Sequence, residues 1–352
     1  MRLFCFVFLL PSLLAHANSE IHFVHNDWEV SCDNSLTCRA AGYSYEGEEP
    51  TASILLTREA GENKSVTGQV GIGDYDNHEL LKKLPDPFVI SLYINDLGYG
   101  DVIINKSNLT SNLSTEQVIA LIKSMKNKAK IEFVENDHNI IWHVSDNGAY
   151  AAFLKMDETQ GRLNTPSAIV RKGNASNFNS YRPVKIPTII IPKIPSTTKE
   201  DIIFVKNNAS AIWESIVSSS SKVDDLSSCE FSENDYKLSE ELTVNRLSES
   251  KLLISTDCWL GAYNSGAAYW IINQKAPYEP ILITTDATDY DNGELSYSLK
   301  GRGLGDCWSY HSWAWNGKEF VDSGNYSTGM CRLITQGGIW QLPTLETNIV
   351  HK

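Results

Sequence analysis

Short runs that alternate between apolar and polar residues, or that are rich in β-branched and aromatic residues, recur along the chain and predict β-strands. In the first half, Gly, Asn, Asp and Pro separate most of these runs, as strand boundaries should. The runs of the first half lie at 28–31, 37–43, 53–57, 66–70, 88–94 and 102–104. Those of the second half lie at 252–255, 268–273, 281–285, 295–299 and 312–321. Asn292-Gly293 and Asn316-Gly317 predict two-residue hairpin turns, because both central residues of such a turn need positive φ.

Helical spacing of apolar residues occurs at a few places in the chain. Residues 114–117 read Ser-Thr-Glu-Gln, which is typical of a capping box at the start of a helix. Apolar residues then follow at helical spacing up to Met125. The pattern also predicts a second helix over about 146–160 and a short helix over about 209–217.

Repeated prolines mark the clearest boundary in the chain, at residues 181–200. They stand at positions 183, 187, 192 and 195. Proline interrupts both helices and sheet ladders, so the segment is predicted to be an extended, Pro-rich linker. The predicted fold class is therefore α+β, with a mixed α/β sandwich-like domain at 18–180 and an antiparallel β domain, stapled by disulfides, at 201–352.

Residues 1–17 read as a secretory signal peptide. Arg2 supplies the positive start, residues 3–14 supply the apolar stretch, and Ala15-His16-Ala17 matches the cleavage pattern. The apolar stretch is shorter than the roughly 20 residues that span a bilayer, and no other run approaches that length. We therefore expect a periplasmic or secreted protein and not an integral membrane protein.

The cysteines support an oxidising compartment. The chain has seven of them, and one, Cys5, lies within the predicted signal peptide. The remaining six permit 15 connectivities, and sequence order favours three neighbouring pairs. These pairs are Cys32–Cys38, Cys229–Cys258 and Cys307–Cys331. A zinc site is the alternative, but no Cys-x-x-Cys motif occurs and the spacings match no zinc module.

Charge and composition exclude a wholly disordered chain and argue against one class of partner. The 352 residues carry a formal net charge of -13, and 42% of them are hydrophobic. That apolar content is enough for a packed core and excludes a wholly disordered chain. A nucleic-acid surface needs a dense basic patch, so the acidic balance argues against nucleic acid as the main partner.

The glycine-rich stretch 301–305 is the strongest candidate for a binding loop. A dinucleotide-binding motif would place Gly at its sixth position, where this chain has Asp306, so we predict no cofactor. A crowded turn beside the disulfide of Cys307 fits better, and we expect it to pack against the Asn316-Gly317 hairpin. The candidate binding residues are Arg302, Asp306, Trp308 and Tyr310.

Two acidic heptapeptides, 74–80 and 289–295, match at all but one position. Their clustered side-chain oxygens are candidate ligands for a hard cation such as calcium. The alternative is a pair of acidic surface turns, because neither heptapeptide has the glycine of an EF-hand loop. The candidate metal ligands are Asp74, Asp76, Asp289 and Asp291.

Several motifs together resemble domain-of-unknown-function family 1176, a group of exported bacterial proteins. The first half contains Asp-Trp-Glu-Val-Ser-Cys-Asp-Asn at 27–34, Cys-Arg-Ala at 38–40 and a longer match at 151–162. The second half contains matches at 258–264, 300–307, 315–320 and 330–332. Trp308 and Leu333 stand where the family pattern often has glycine. The start of the chain also resembles invasion-associated protein B over a short stretch, and neither resemblance implies a reaction.

Three functions are compatible with these observations. The favoured one is a non-enzymatic binding or envelope-associated protein, whose partner is an envelope protein, a glycan or a host factor. The second is an envelope hydrolase that uses carboxylates such as Asp157, Glu158 and Asp306 together with Arg302. The third is an inhibitor of a host or rival hydrolase that presents the 302–310 loop. No catalytic signature occurs, so no catalytic residue is assigned.

Overall fold

The structure is a computed structural model, and it describes residues 21–75, 78–177, 180–219, 229 and 242–352. The predicted signal peptide at 1–17 lies outside the described residues. Strands predominate in the part that is described, and nearly all of them pair in antiparallel sheets. None of the described helices combines the length and the apolar character that crossing a bilayer requires.

Two antiparallel sheets make up most of the first half. The six-stranded sheet has the order β1-β2-β3-β4-β5-β8. Its strands are β1 (Ile21–His25), β2 (Trp28–Cys32), β3 (Cys38–Tyr43), β4 (Ala52–Arg58), β5 (Thr67–Ile72) and β8 (Thr110–Asn112). The four-stranded sheet has the order β10-β9-β6-β7. Its strands are β6 (Phe88–Ile94), β7 (Leu97–Ile104), β9 (Ile131–Glu135) and β10 (Ile140–Val144).

Three helices, α1 (His78–Lys82), α2 (Thr115–Ser124) and α3 (Ala149–Thr159), accompany these sheets. The capping box predicted at the start of α2 is confirmed, because the Ser114 side chain accepts from the Gln117 backbone and the Gln117 side chain accepts from the Ser114 backbone. One large core fills the space between the two sheets, α2 and α3. Trp28, Trp142 and Phe153 are fully buried in it.

The proline-rich segment contributes a strand to the second half. β11 (Thr188–Ile191) pairs in parallel with the last strand, β21 (Asn348–His351). The isoleucines between the prolines supply this strand, and Ile191 is fully buried. The segment therefore makes a two-stranded sheet with the end of the chain.

The second half contains a long helix, α4 (Lys199–Ser219), and two antiparallel sheets. The four-stranded sheet is formed by β12 (Thr243–Arg246), β13 (Lys251–Leu260), β14 (Ser265–Asn273) and β15 (Ile281–Ala287). The five-stranded sheet is formed by β16 (Asp289–Asp291), β17 (Glu294–Lys300), β18 (Trp308–Trp315), β19 (Phe320–Ser327) and β20 (Leu342–Leu345). One core lies between α4 and the four-stranded sheet, and another joins the two sheets.

The two halves share a separate core. In this core, the six-stranded sheet packs against the C-terminal segment. The buried members are Ala41, Tyr43 and Leu55 of the sheet and Ile334, Trp340 and Leu342 of the segment. The Ser31 hydroxyl donates to the backbone oxygens of Leu342 and Pro343. The segment after β19 thus covers a face of the N-terminal sheet.

Some predicted elements are wrong in detail. The helix predicted at 209–217 is the second half of the 21-residue α4, whose buried apolar spacing already begins at Val205. The run 312–321 is the end of β18, a turn and the start of β19. At Asn292-Gly293 both φ angles are positive, as predicted.

The second hairpin has a four-residue turn instead of a two-residue one. Gly317 has a φ of +98°, whereas the Asn316 side chain accepts from the backbone of Lys318 and Glu319. Those side-chain bonds stabilise a longer turn without a positive φ at Asn316. The turn lies at the far end of β18 from Cys307, near Pro192, so the expected packing of the 301–310 loop against it is also wrong.

Candidate functional site

A disulfide anchors the loop that carries the candidate binding residues. Cys307 is bonded to Cys331, and the structure joins all six cysteines in the order that the sequence predicts. Gly301 lies directly beneath this disulfide, where a Cβ would stand 2.7 Å from the Cys307 Sγ. Its backbone N–H donates to the Cys307 oxygen at 2.9 Å. Glycine is therefore required at position 301 for the close approach of the loop to the disulfide.

Arg302 and Asp306 form an ion pair within the loop. The Arg302 guanidinium donates to both oxygens of Asp306, at 2.8 and 2.6 Å. The Asp306 side chain is fully buried and also accepts from the backbone N–H of Leu333. Burial would raise the pKa of Asp306, but these donors outweigh it and hold that pKa below its ordinary value. Asp306 therefore positions the loop, and Arg302 is the partly exposed member of the pair.

Trp308 and Tyr310 lie on one face of β18 in a stack of aromatic rings. Trp308 stacks on Tyr310 with ring centroids 6.1 Å apart. Tyr310 stacks on Tyr326, which lies directly opposite on β19, with centroids 4.5 Å apart. The Lys300 ammonium lies over the Trp308 ring, 5.4 Å from the ring centroid. We call these four residues the aromatic stack.

Members of the aromatic stack cover part of each other's ring surface. Tyr310 and Tyr326 stack on each other, so each of these two rings has one face covered by the other, and Lys300 lies over the Trp308 ring. All three rings are partly exposed. The phenolic oxygens of Tyr310 and Tyr326 form no hydrogen bond within the described part of the chain. The surface therefore combines apolar ring edges, two hydroxyl groups and a cation.

Backbone contacts make the aromatic stack rigid. The Trp308 N–H donates to the Thr328 hydroxyl at 2.8 Å, and the Thr328 N–H donates to the Trp308 oxygen. The indole N–H of Trp308 donates to the Gly305 oxygen at 3.0 Å. The ring of Trp308 is thus attached to both the loop and the sheet. A surface held in this way loses little conformational entropy when it binds.

The first acidic heptapeptide contacts the 301–305 loop, because the Tyr75 hydroxyl donates to the Leu304 oxygen at 2.8 Å. Asp76 lies outside the described residues. Asp289 and Asp291 lie on β16, and the Asp74 N–H donates to the Ile334 oxygen. Among the described residues, three side chains of types that can bind a metal ion lie close together: Asp306, Cys307 and Cys331. Both of those sulfurs are in the disulfide, so that group offers no thiolate to a metal. The calcium site stays a prediction.

The carboxylates proposed for hydrolysis have different surroundings. Asp157 is fully buried, where it accepts from the backbone N–H groups of Ile169 and Val170. Burial raises its pKa, against the effect of those bonds and of Arg58. The neighbouring Glu158 is exposed and pairs with Lys155. These partners differ from those of Asp306, which accepts hydrogen bonds from Arg302 and Leu333.

The sequence analysis missed Tyr326 and Lys300 as members of the aromatic stack. The predicted two-residue turn would pair Trp315 with Lys318 and so place Ser323 opposite Tyr310. The four-residue turn that the structure has moves this position to Asn325. A β-bulge between Ser312 and Trp313 then adds one more residue, so that Tyr310 pairs with Tyr326. No pattern in the sequence indicates that bulge.

A network around His143 was also missed. The imidazole of His143 contacts Glu48 at 2.6 Å through Nδ1 and Glu132 at 2.9 Å through Nε2. It lies beside a cavity of about 370 Å³ that is also lined by Tyr45 and Lys130. A larger neighbouring cavity of about 610 Å³ shares Tyr45. The three network residues come from three separate segments, so no local pattern indicates them.

Comparisons with known proteins give the family of the chain. It is similar to the uncharacterized protein YpfG of Escherichia coli (strain K12), with 24% identity over 348 residues, covering 90% of this chain and 90% of that protein. It also has a limited likeness to the crystal structure of invasion associated protein B from Bartonella henselae. That likeness has a TM-score of 0.28 and 10% identity, and it covers 40% of this chain and 98% of the other. The family model for DUF1176, described as a protein of unknown function, matches residues 22–347, so the chain belongs to the DUF1176 family.

Proposed function

We propose that the chain is an exported, non-enzymatic binding protein of the bacterial envelope, and that the aromatic stack contacts a protein partner. The three disulfides fit an oxidising compartment such as the periplasm. The observation that carries the proposal is the set of partly exposed aromatic rings, Trp308, Tyr310 and Tyr326, on a rigid sheet.

The composition of the aromatic stack supports a protein partner. Tryptophan, tyrosine and arginine are enriched at the energetic centres of protein interfaces. Their rings supply apolar area, and a phenolic hydroxyl offers both a donor and an acceptor. Arg302, partly exposed in the neighbouring loop, adds a cation at one edge.

The contacts between the rings favour a protein over a glycan. A sugar ring binds best on the flat face of an aromatic ring, and Tyr310 and Tyr326 stack on each other with centroids 4.5 Å apart, which covers one face of each. The exposed parts of the rings and the two hydroxyl groups follow neighbouring strands. This arrangement suits side chains and backbone groups of another protein.

The test compares Trp308→Ala and Tyr326→Ala with the wild-type chain. Each purified protein is immobilised and titrated with solubilised bacterial envelope proteins, and in parallel it is applied to a glycan array. We expect the wild-type chain to bind a saturable protein partner. Each substitution should weaken that binding by about tenfold or more, which is the loss typical of a central aromatic contact. The melting temperature is measured for every variant.

The matched control is Tyr99→Ala, which removes a 38% exposed tyrosine from the first half of the chain. It should leave partner binding unchanged. The proposal fails if no saturable protein partner is found, or if glycan binding is what Trp308→Ala removes. It also fails if binding falls only in proportion to a lowered melting temperature, because the rings would then serve stability alone.

A further inference from the structure

A second candidate binding site lies in the first half of the chain, in a groove beside α2. The groove has a volume of about 360 Å³, at the small end of the range of about 300–1,000 Å³ for small-molecule sites. Helix α2 lines one side and residues 167–172 line the other. The apolar residues of the lining are Val66, Val118, Ile119, Ile122, Ala168 and Ile169. We call this site the α2 groove.

The apolar lining reaches the surface. Val118 and Ile169 are buried at the base, while Ile119 is 61% exposed on the wall. An isoleucine that is exposed at the edge of an apolar groove gains free energy when a ligand covers it. The groove therefore has an apolar base with an apolar wall open to solvent.

The rim of the α2 groove is cationic. Lys123, Lys126 and Lys172 stand around it, and no acidic residue among those that the structure describes lines it. Within the described part of the chain, none of these three lysines forms an ion pair. The groove therefore gathers three cations without a neighbouring carboxylate in a chain whose net charge is -13.

A buried arginine adds positive charge beneath the groove. Arg58 is 6% exposed and lines the groove. Its Nη1 forms no hydrogen bond with the described residues and lies 3.6 Å from the Asp157 carboxylate. Its other nitrogens donate to the backbone oxygens of Lys64 and Ser167. Arg58 and the fully buried Arg162 share a single carboxylate, Asp157, so this cluster carries a net positive charge.

We propose that the α2 groove binds a free, single-chain anionic amphiphile of the fatty-acid class. Its acyl chain lies along Val66, Ile119 and Ile122, and its carboxylate lies among the rim lysines. The apolar lining accounts for the chain and the unpaired cations account for the charged end. The site is separate from the aromatic stack and independent of the function proposed above.

Charge complementarity selects this occupant over the alternatives. A neutral apolar ligand would form no ionic contact with the three lysines. An inorganic anion would leave the apolar lining exposed to water. A ligand that joins one apolar chain to one anionic group satisfies both features. A concave groove also suits a single dissolved molecule better than the flat surface of a bilayer.

The test is a fluorescence titration of the full chain with cis-parinaric acid below its micelle concentration. Ile119→Glu should weaken binding by about tenfold, because it replaces an apolar contact with a negative charge. Lys123→Gln combined with Lys172→Gln should weaken binding of the acid by about threefold to fivefold. The same double variant should not change binding of the uncharged parinaryl alcohol. Raising the ionic strength should weaken binding of the acid selectively.

The matched control is Ile103→Glu, which makes the same change at a 57% exposed isoleucine on β7, outside the groove. It should bind the probe as the wild-type chain does. The proposal is overturned if Ile119→Glu binds normally, or if the alcohol binds as tightly as the acid and the lysine changes have no effect.

Two other occupants would also overturn the proposal. Binding to phosphatidylglycerol vesicles without binding of the dissolved probe would assign the surface to membranes. A dimer in solution that Ile119→Glu converts to a monomer, with no probe binding, would assign it to a second copy of the chain.

Discussion

At the scale of single residues, Glu29 connects the two halves of the chain. Its carboxylate is almost fully buried and accepts from the Tyr43 hydroxyl at 2.6 Å and the Met330 N–H at 2.7 Å. The Nε2 of His22 lies 2.8 Å from its other oxygen. Burial and this carboxylate raise the pKa of Tyr43 well above its ordinary value, so the phenol stays protonated and continues to donate.

The first prediction concerns the pH dependence that His22 confers. Its hydrogen bond to Glu29 raises its pKa above the ordinary 6.5, against the opposing effect of burial. The resulting stabilisation is fully present below the unfolded-state pKa and is lost as the pH rises through the folded-state pKa. We therefore expect the urea midpoint to fall as the pH rises above 6.5, and His22→Gln to reduce that slope.

The control for this prediction is His25→Gln on the same strand. His25 forms no ion pair within the described residues, so the control should keep the wild-type slope. An unchanged slope in His22→Gln would show that other groups produce the pH dependence.

The second prediction concerns Arg162, a fully buried arginine. It donates to the Gln160 side chain and to the backbone oxygens of Glu59, Gly61 and Glu62. Arg162→Met leaves these acceptors without a donor, and each unsatisfied buried group costs about 1–3 kcal/mol. We expect the free energy of unfolding to fall by about 3–5 kcal/mol in urea titrations. Arg171→Met, at an exposed arginine, should change it by less than about 0.5 kcal/mol.

At the scale of elements, the start of α4 is tied to the sheet that it covers. Asp201 and Thr198 bond reciprocally, each side chain accepting from the other residue's backbone N–H. The Arg246 guanidinium of β12 donates to both Asp201 oxygens. One carboxylate thus caps the helix and joins it to the strand. This role fits a start of α4 at Lys199, ahead of its first buried apolar residue, Val205.

The third prediction tests this connection with Asp201→Asn. The hydrogen bonds from Arg246 lower the pKa of Asp201 below its ordinary 3.8. The stabilisation is therefore present above that value and is lost as the pH falls through the folded-state pKa. We expect the variant to be less stable by about 2 kcal/mol at pH 7, with the difference shrinking in acid.

Thermal or urea unfolding from pH 7 to pH 2 measures this difference. Glu200→Gln, at the exposed neighbouring position, should match the wild-type chain throughout. A constant difference at all pH values would contradict the ionic role of Asp201 and leave it as a helix cap alone.

At the scale of the whole molecule, the shared core makes the two halves depend on each other. Trp340 is 7% exposed and packs among Tyr43 and Leu55 of the first half. Its indole N–H donates to the Ser53 hydroxyl at 2.7 Å. Arg332 adds an ion pair with Asp27 at 2.9 Å. Each half of the chain therefore contributes residues to one core. The predicted division into two domains at 181–200 stays a prediction.

The fourth prediction tests that dependence with Trp340→Ala. Removing a buried tryptophan costs about 3–5 kcal/mol through lost apolar burial and the cavity that remains. We expect the free energy of unfolding to fall by this amount, as measured by urea titration followed by circular dichroism. Tyr263→Ala, at a 47% exposed tyrosine of the second half, should cost less than about 1 kcal/mol. A loss below 1 kcal/mol in Trp340→Ala would mean that the shared core contributes little.

The sequence by itself determined the features that arise between neighbouring residues. Alternation placed most of the strand centres, and β6 has the predicted bounds. The Ser114 capping box and the Asn292-Gly293 turn are local patterns, and they occur where predicted. The cysteines pair in sequence order across separations of 6, 29 and 24 residues, because each pair closes a loop within one half of the chain.

Tertiary structure alone decided which surfaces the strands bury and which they leave open. The β9–β10 hairpin was not predicted. The lysine rim of the α2 groove and the core shared by the two halves depend on contacts between distant segments. Local periodicity fixes which residues share a face, but it carries no information on what packs against that face. That choice depends on the free energy of burying whole surfaces together, to which residues from both ends of the chain contribute.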